Sequence, residues 1–331
     1  MDVRHGASAF LARHGWGGAR LEPLAGDASF RRYVRVIDRG RTAVLMDAPP
    51  PVEDVRPFVR IAHRLLALGL SAPRILAADE ALGFLLVEDL GDRRVGPELA
   101  AGRADEDDVY ARAVDLLVHL QAHEAPPDLA PYDRAALVAE VMLFLEWYLP
   151  AAGIDADPHA FIAAWDEAWA EVLAETAAAP VLVLRDYHAD NLMLLPPERA
   201  AFGLGLLDFQ DALAGHPAYD LVSLLQDARR DVPRRLEARM IERFTHARGL
   251  DPVRFRAAYE VLGAQRNVKI LGIFVRLRDR DGRTGYVERL PRVWAYLARN
   301  LAHPALAPVA RWFRTHVPPA ARAPWCEARA A

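Results

Sequence analysis

The chain has 331 residues, 53% hydrophobic and 26% charged, with 41 basic against 45 acidic residues and a formal net charge of −4. That balance argues against a general nucleic-acid binder steered by counterion release; the first ten residues hold no apolar core of signal-peptide length, and no run approaches the roughly 18 apolar residues of a membrane span. The single cysteine, Cys326, excludes an intrachain disulfide and a multi-cysteine metal site, so a two-domain, monomeric, cytoplasmic protein with no nucleic-acid or membrane partner is expected.

Residues 20–24, 30–37 and 42–46 read as three strands, the last two joined by the hairpin turn Asp38-Arg39-Gly40. A helix over 54–68 follows, with Val55, Phe58, Val59, Ala62, Leu65 and Leu66 on one face and Gly69 as its stop. Short strands near Ile75 and over 84–87 complete a small sheet. Beyond Glu88-Asp89-Leu90-Gly91-Asp92 the pattern changes to long amphipathic helices, with stripes such as Val109, Ala113, Leu116, Leu117 and Leu120. The expected boundary divides 1–90 from 91–331. Trp147, Tyr148, Trp294 and Tyr296 sit among helical apolar neighbours and are assigned to the core rather than to ligand stacking.

Two apolar runs inside the helical part, 181–184 and 204–209, read as buried strands. They flank Arg185-Asp186-Tyr187-His188-Ala189-Asp190-Asn191, and the second ends in Asp208-Phe209-Gln210-Asp211. A strand-loop-strand hairpin would bring Asp186, Asn191 and Asp208 within a few ångströms, where like charges cost free energy unless a cation neutralises them. Hard oxygen donors of this kind suit Mg²⁺, which also bridges phosphate oxygens, so the grouping points to phosphoryl transfer.

The spacing Asp186-x-x-x-x-Asn191 followed by Asp208 resembles the catalytic loop and metal-binding Asp of the protein-kinase-like fold, in the version used by aminoglycoside phosphotransferases. Gly215-His216-Pro217-Ala218-Tyr219-Asp220-Leu221 is similar to that family's following segment. The stretches Leu24-Ala25-Gly26-Asp27-Ala28-Ser29-Phe30-Arg31-Arg32-Tyr33, Leu45-Met46-Asp47-Ala48-Pro49-Pro50 and Gln265-Arg266-Asn267-Val268-Lys269-Ile270-Leu271-Gly272 resemble the bacterial N-acetylmuramate/N-acetylglucosamine anomeric kinases of cell-wall recycling.

The resemblance implies an α+β, protein-kinase-like two-lobe fold: a small amino-terminal antiparallel sheet plus helix, then a large, mostly helical lobe. It also implies ATP and Mg²⁺ as cofactors. Asp186 would deprotonate the sugar hydroxyl, and Asn191 and Asp208 would hold the metal. Gly26, Asp27, Ala28, Ser29 and Phe30 would cover the phosphates, with Arg31 and Arg32 beside them, and Glu88 to Leu90 would meet adenine. Asp220 is either a brace for the loop or a ligand. The implied reaction is ATP-dependent phosphorylation of the anomeric hydroxyl of N-acetylmuramate and N-acetylglucosamine for peptidoglycan recycling; the alternatives are another small hydroxyl acceptor or a metal-dependent hydrolase built on His188, Asp190, Asp208, Asp211 and His216.

Two departures stand out. The third strand carries no phosphate-binding lysine, since Lys269 is the only lysine of the chain, and the helix over 54–68 has no interior Glu to pair with one. Arg31, Arg32 or Arg35 is expected to supply the phosphate contact, guanidinium being suited to bidentate phosphate binding. Between Gln265 and Arg299 there are nine basic residues against three acidic. That excess disfavours a polycationic acceptor and favours a neutral or anionic sugar. Arg266, Asn267 and Lys269, with His188, Gln210 and Asp211 nearer the chemistry, are the candidate sugar contacts.

Overall fold

The computed structural model describes residue 4 and residues 6–24 and 30–325. The chain divides into two compact units, Met1–Leu116 with Ala189–Ala212, and Leu117–His188 with Leu213–Ala331. The boundary expected after Leu90 therefore falls inside the first unit.

In the first unit, β1 (Arg20–Pro23), β2 (Arg32–Asp38), β3 (Arg41–Asp47), β4 (Ile75–Asp79) and β5 (Phe84–Glu88) form an antiparallel sheet of order β1-β2-β3-β5-β4. The β2–β3 turn takes the expected form, with φ of 49° at Arg39 and 80° at Gly40, as a tight hairpin turn that follows strand twist requires. Alternate residues set one face: Ala43 and Leu45 on β3 lie beside Phe84 and Leu86 on β5, and Leu45 is in register with Leu86.

A helix not anticipated from the sequence, Ala7–Arg13, covers that face with Ala7, Phe10 and Leu11. The Phe10 ring stacks on Phe84 at 5.7 Å between centroids, and burying each such side chain contributes about 1.5–3 kcal/mol. Helix Arg56–Ala67 forms where the apolar spacing places it and buries Phe58, Ile61, Ala62 and Leu65.

The first unit also contains the hairpin of β7 (Leu192–Leu194) and β8 (Leu204–Leu206), with Leu192 opposite Leu206. In the second unit β6 (Val181–Val183) pairs with β9 (Leu213–Gly215). The expected single hairpin of 181–184 with 204–209 is therefore replaced by two short ribbons. Leu192-Met193-Leu194 is itself an apolar, strand-forming run, and it pairs closer in sequence across one short loop, where closure costs less entropy.

Helices make up the rest of the second unit. Pro158–Ala178 and Pro252–Asp279 each start on an Asp cap, Asp157 accepting from the His159 and Ala160 amides and Asp251 from those of Val253 and Arg254. Pro252–Asp279 is buried along most of its length. Gly272 faces the Leu143 carbonyl so closely that an added Cβ would lie 2.3 Å from it. Tyr148, Trp294 and Tyr296 are core residues as expected, and Trp294 Nε1 donates to the Tyr148 hydroxyl at 2.8 Å. No helix among the described residues is long and apolar enough to cross a membrane.

Candidate active site

In the second unit, β6 runs into Leu184-Arg185-Asp186-Tyr187-His188. Arg185 adopts φ of 70°, in the left-handed region that non-glycine residues rarely occupy. Asp220, in the first turn of helix Ala218–Leu225 and fully buried, holds this turn: its carboxylate accepts the Leu184 amide at 2.7 Å and the Arg185 amide at 2.9 Å. Burial pushes the Asp220 carboxyl up to about 7 against the pull of those two donors, and the Asp186 charge adds to the rise. Asp220 is thus the brace and not a free ligand.

A second brace comes from Glu140, on helix Arg134–Leu143. It accepts Gln265 Nε2 at 2.6 Å and Lys269 Nζ at 2.7 Å, and also meets the Arg185 guanidinium and the Tyr132 hydroxyl. Burial alone would raise its carboxyl, yet Lys269 and Arg185 hold it down at about 2. Both the loop carrying Asp186 and the long helix are thereby tied to one buried anion.

In the first unit, Asn191 immediately precedes β7 and Asp208 lies just past β8. The Leu207 amide donates to the Asn191 carbonyl at 3.0 Å, which extends the hairpin ladder. The two side chains consequently meet, Asn191 Nδ2 to Asp208 Oδ2 at 3.4 Å. Asp208 also takes a left-handed backbone, φ 56°. Gln210 Nε2 donates to Asp208 Oδ1 at 2.8 Å and to Asp211 Oδ2 at 3.3 Å. One carboxylate with one amide as neighbours fits Mg²⁺, a hard ion that keeps waters and takes phosphate oxygens for the rest of its shell. Among the described residues no three His, Cys, Asp or Glu side chains are grouped to hold a metal. His216 is engaged structurally, its Nδ1 accepting the Ala218 amide and its Nε2 lying 3.0 Å from Glu175.

Of the three arginines, Arg31 stands at Asp208. Its Nη1 is 3.9 Å from Asp208 and its Nη2 4.0 Å from Asp211, while Nε donates to Glu53 at 3.0 Å. Arg35 is held at 2.8 Å by Asp89 and 2.7 Å by Asp92, and Arg32 is solvent-exposed. Gly26, Asp27, Ala28 and Ser29 lie outside the described residues. Phe30 is exposed, and its amide, expected to face phosphate, donates to Glu53 at 3.2 Å. Glu88 ends β5 with its carboxylate on Arg74 and Arg199, and Leu90 packs with Met193, Leu195 and Ala200.

The candidate sugar contacts separate sharply. Asn267 is buried, its amide donating to Gln226 at 2.9 Å and Asn300 at 3.0 Å, and Lys269 is taken by Glu140. Neither is available to a ligand, because a buried polar group surrenders existing partners only at high cost. His188 is buried and held uncharged by that burial and by the charges of Arg229, Arg266 and Arg289. Gln210 bridges the two carboxylates, and the Asp211 side chain is exposed. Arg266 is buried on the long helix. The sequence reading missed Glu53 and Glu140. Glu53 lies just ahead of the helix searched for a glutamate, and the signal for Glu140 is a lone acid between the buried apolar Leu137 and Val141.

Residues 20–264 match the phosphotransferase enzyme family APH. The chain is 40% identical over 349 residues to the N-acetylmuramate/N-acetylglucosamine kinase of Caulobacter vibrioides, covering 94% of this chain and 96% of that protein. It is 40% identical over 306 residues to the protein of the same name from Pseudomonas aeruginosa, covering 88% of each. The streptomycin-ATP-APH(2")-IIa ternary complex superposes with a TM-score of 0.57 at 15% identity, covering 92% of this chain and 98% of that one, which establishes a shared fold.

Proposed function

The chain belongs to the APH phosphotransferase enzyme family, and from that premise we propose that it transfers the γ-phosphoryl group of ATP to the anomeric hydroxyl of N-acetylmuramate and N-acetylglucosamine, giving sugar 1-phosphates for peptidoglycan recycling. The observation that carries the reading is the Asn191–Asp208 pair at the base of one hairpin, preceded at kinase spacing by an acid whose backbone turn is fixed by Asp220. The two curated relatives bear the sugar names.

Asp186 orients the acceptor hydroxyl and takes its proton. Asn191 and Asp208 would hold Mg²⁺, and the ion when bound would supply neutralisation of phosphate charge. Arg31 contacts the phosphates in place of the absent lysine, and Glu53 fixes its guanidinium by accepting from Nε. Glu88 to Leu90 present main chain to adenine. Because the chemistry demands positioning and charge neutralisation more than covalent participation, the buried braces matter as much as the reacting groups.

Incubation with Mg-ATP and a panel of amino sugars, followed by phosphorus NMR of the product, tests this. A phosphate coupled to the anomeric proton supports the reading. Phosphate on another hydroxyl, or no transfer to either sugar, refutes it.

A further inference from the structure

Arg266 is a buried cation of the second unit with a guanidinium nitrogen that no neighbouring group among the described residues accepts from. It lies within helix Pro252–Asp279, is 4% exposed, and its Nη1 is sealed from solvent with no hydrogen-bond partner among the described residues. Buried guanidinium is ordinarily matched by an anion, since an unpaired buried charge is strongly unfavourable. Its own helix obeys that rule on either side: Arg256 meets Glu260 at 2.7 Å and Lys269 meets Glu140 at 2.7 Å.

The place of Arg266 is also telling. Its charge bears on Asp220, whose carboxylate is already occupied by the two amides ahead of Asp186, and on the buried His188 two residues after it. Arg229 and Arg289 bear on the same imidazole, and the Arg289 guanidinium lies over the Tyr286 ring at 5.1 Å. His188 itself is kept neutral there. The charges of three arginines thus bear on the imidazole that follows Asp186, and Nη1 of the most buried of them, Arg266, has no hydrogen-bond partner among the described residues.

Resting on the reading given above, we propose that Arg266 is the anion-recognising residue of the acceptor site and receives the lactyl carboxylate of N-acetylmuramate, with Arg229 and Arg289 reinforcing the positive field. A carboxylate oxygen is a slim acceptor, compatible with the small accessible edge of Arg266, and a charge-assisted bond to guanidinium is strongest where water is excluded. N-Acetylglucosamine lacks the lactyl group and leaves this contact unmade.

The test is steady-state kinetics with both sugars for the wild type, Arg266→Gln and Arg266→Lys, together with wild-type kinetics on the neutral methyl ester of N-acetylmuramate. The expected result is a shift of at least tenfold in the kcat/KM ratio of the two sugars against N-acetylmuramate in Arg266→Gln, partly restored in Arg266→Lys. Esterification should raise the wild-type KM by a similar factor, and this arm stands even where the variant does not fold. An unchanged ratio, or an ester as good as the acid, overturns the proposal. So does a rise in the KM for ATP that matches the loss, which would put Arg266 on the transferred phosphoryl group. Turnover of neither sugar by the wild type would instead overturn the functional reading itself.

Discussion

Arg31 donates to Glu53 at 3.0 Å while the same guanidinium stands 3.9 Å from Asp208. A cation is thus clamped between the Glu53 and Asp208 carboxylates, from the edge of β2 instead of from β3. Glu53 performs its part from just before helix Arg56–Ala67. In the proposed reading this pair takes the part of the missing strand lysine.

Arg31→Gln should raise the KM for ATP about ten- to a hundredfold, the equivalent of about 1.5–3 kcal/mol for hydrogen bonds to charged groups. Arg35→Gln, which loses partners at Asp89 and Asp92 and none at Asp208, should shift it far less. Isothermal titration with a non-hydrolysable ATP analogue checks both, and equal effects at the two positions would contradict the assignment.

Asp220 makes stability depend on pH in a stated direction. Its folded carboxyl is raised from 3.8 to about 7, so its stabilising contribution is full below about pH 3.8 and is lost as pH rises toward 7. The wild-type Tm minus that of Asp220→Asn should therefore fall as pH is raised through this window. A difference independent of pH would contradict it. Asp220→Asn should also cut kcat, because Leu184 and Arg185 donate to two different oxygens of Asp220, and in asparagine one of those positions is an NH₂ that donates instead of accepting.

Gly272→Ala should destabilise the second unit by about 1–3 kcal/mol, the usual cost of overpacking against groups that cannot yield. The atoms in the way are the backbone carbonyl carbon and oxygen of Leu143, each 2.3 Å from the added Cβ. Urea denaturation measures this, and an unchanged midpoint would show that the helix moves aside.

Much of the first unit is legible because its signals are local. The Arg39-Gly40 turn, the alternation of β3 and the apolar face of helix Arg56–Ala67 each follow from short-range periodicity. Helix Ala7–Arg13 is missed because seven residues give too little period to register. Strand pairing is harder: β6 with β9 and β7 with β8 are choices among short apolar runs that composition does not rank. In the site, Asn191 and Asp208 come together as their spacing implies. Asn267 and Lys269 do not serve as expected, because their acceptors, Gln226, Asn300 and Glu140, lie 33 to 129 residues away in the chain and no linear motif announces them.

Single-turnover phosphoryl transfer by Asp186→Asn, with ATP affinity measured on the same protein, tests the central claim most directly. A fall in the transfer rate of about a thousandfold or more with nucleotide affinity within about threefold of the wild type is the predicted result, general-base loss ordinarily costing 10²–10⁴-fold. Transfer at the wild-type rate would contradict the account.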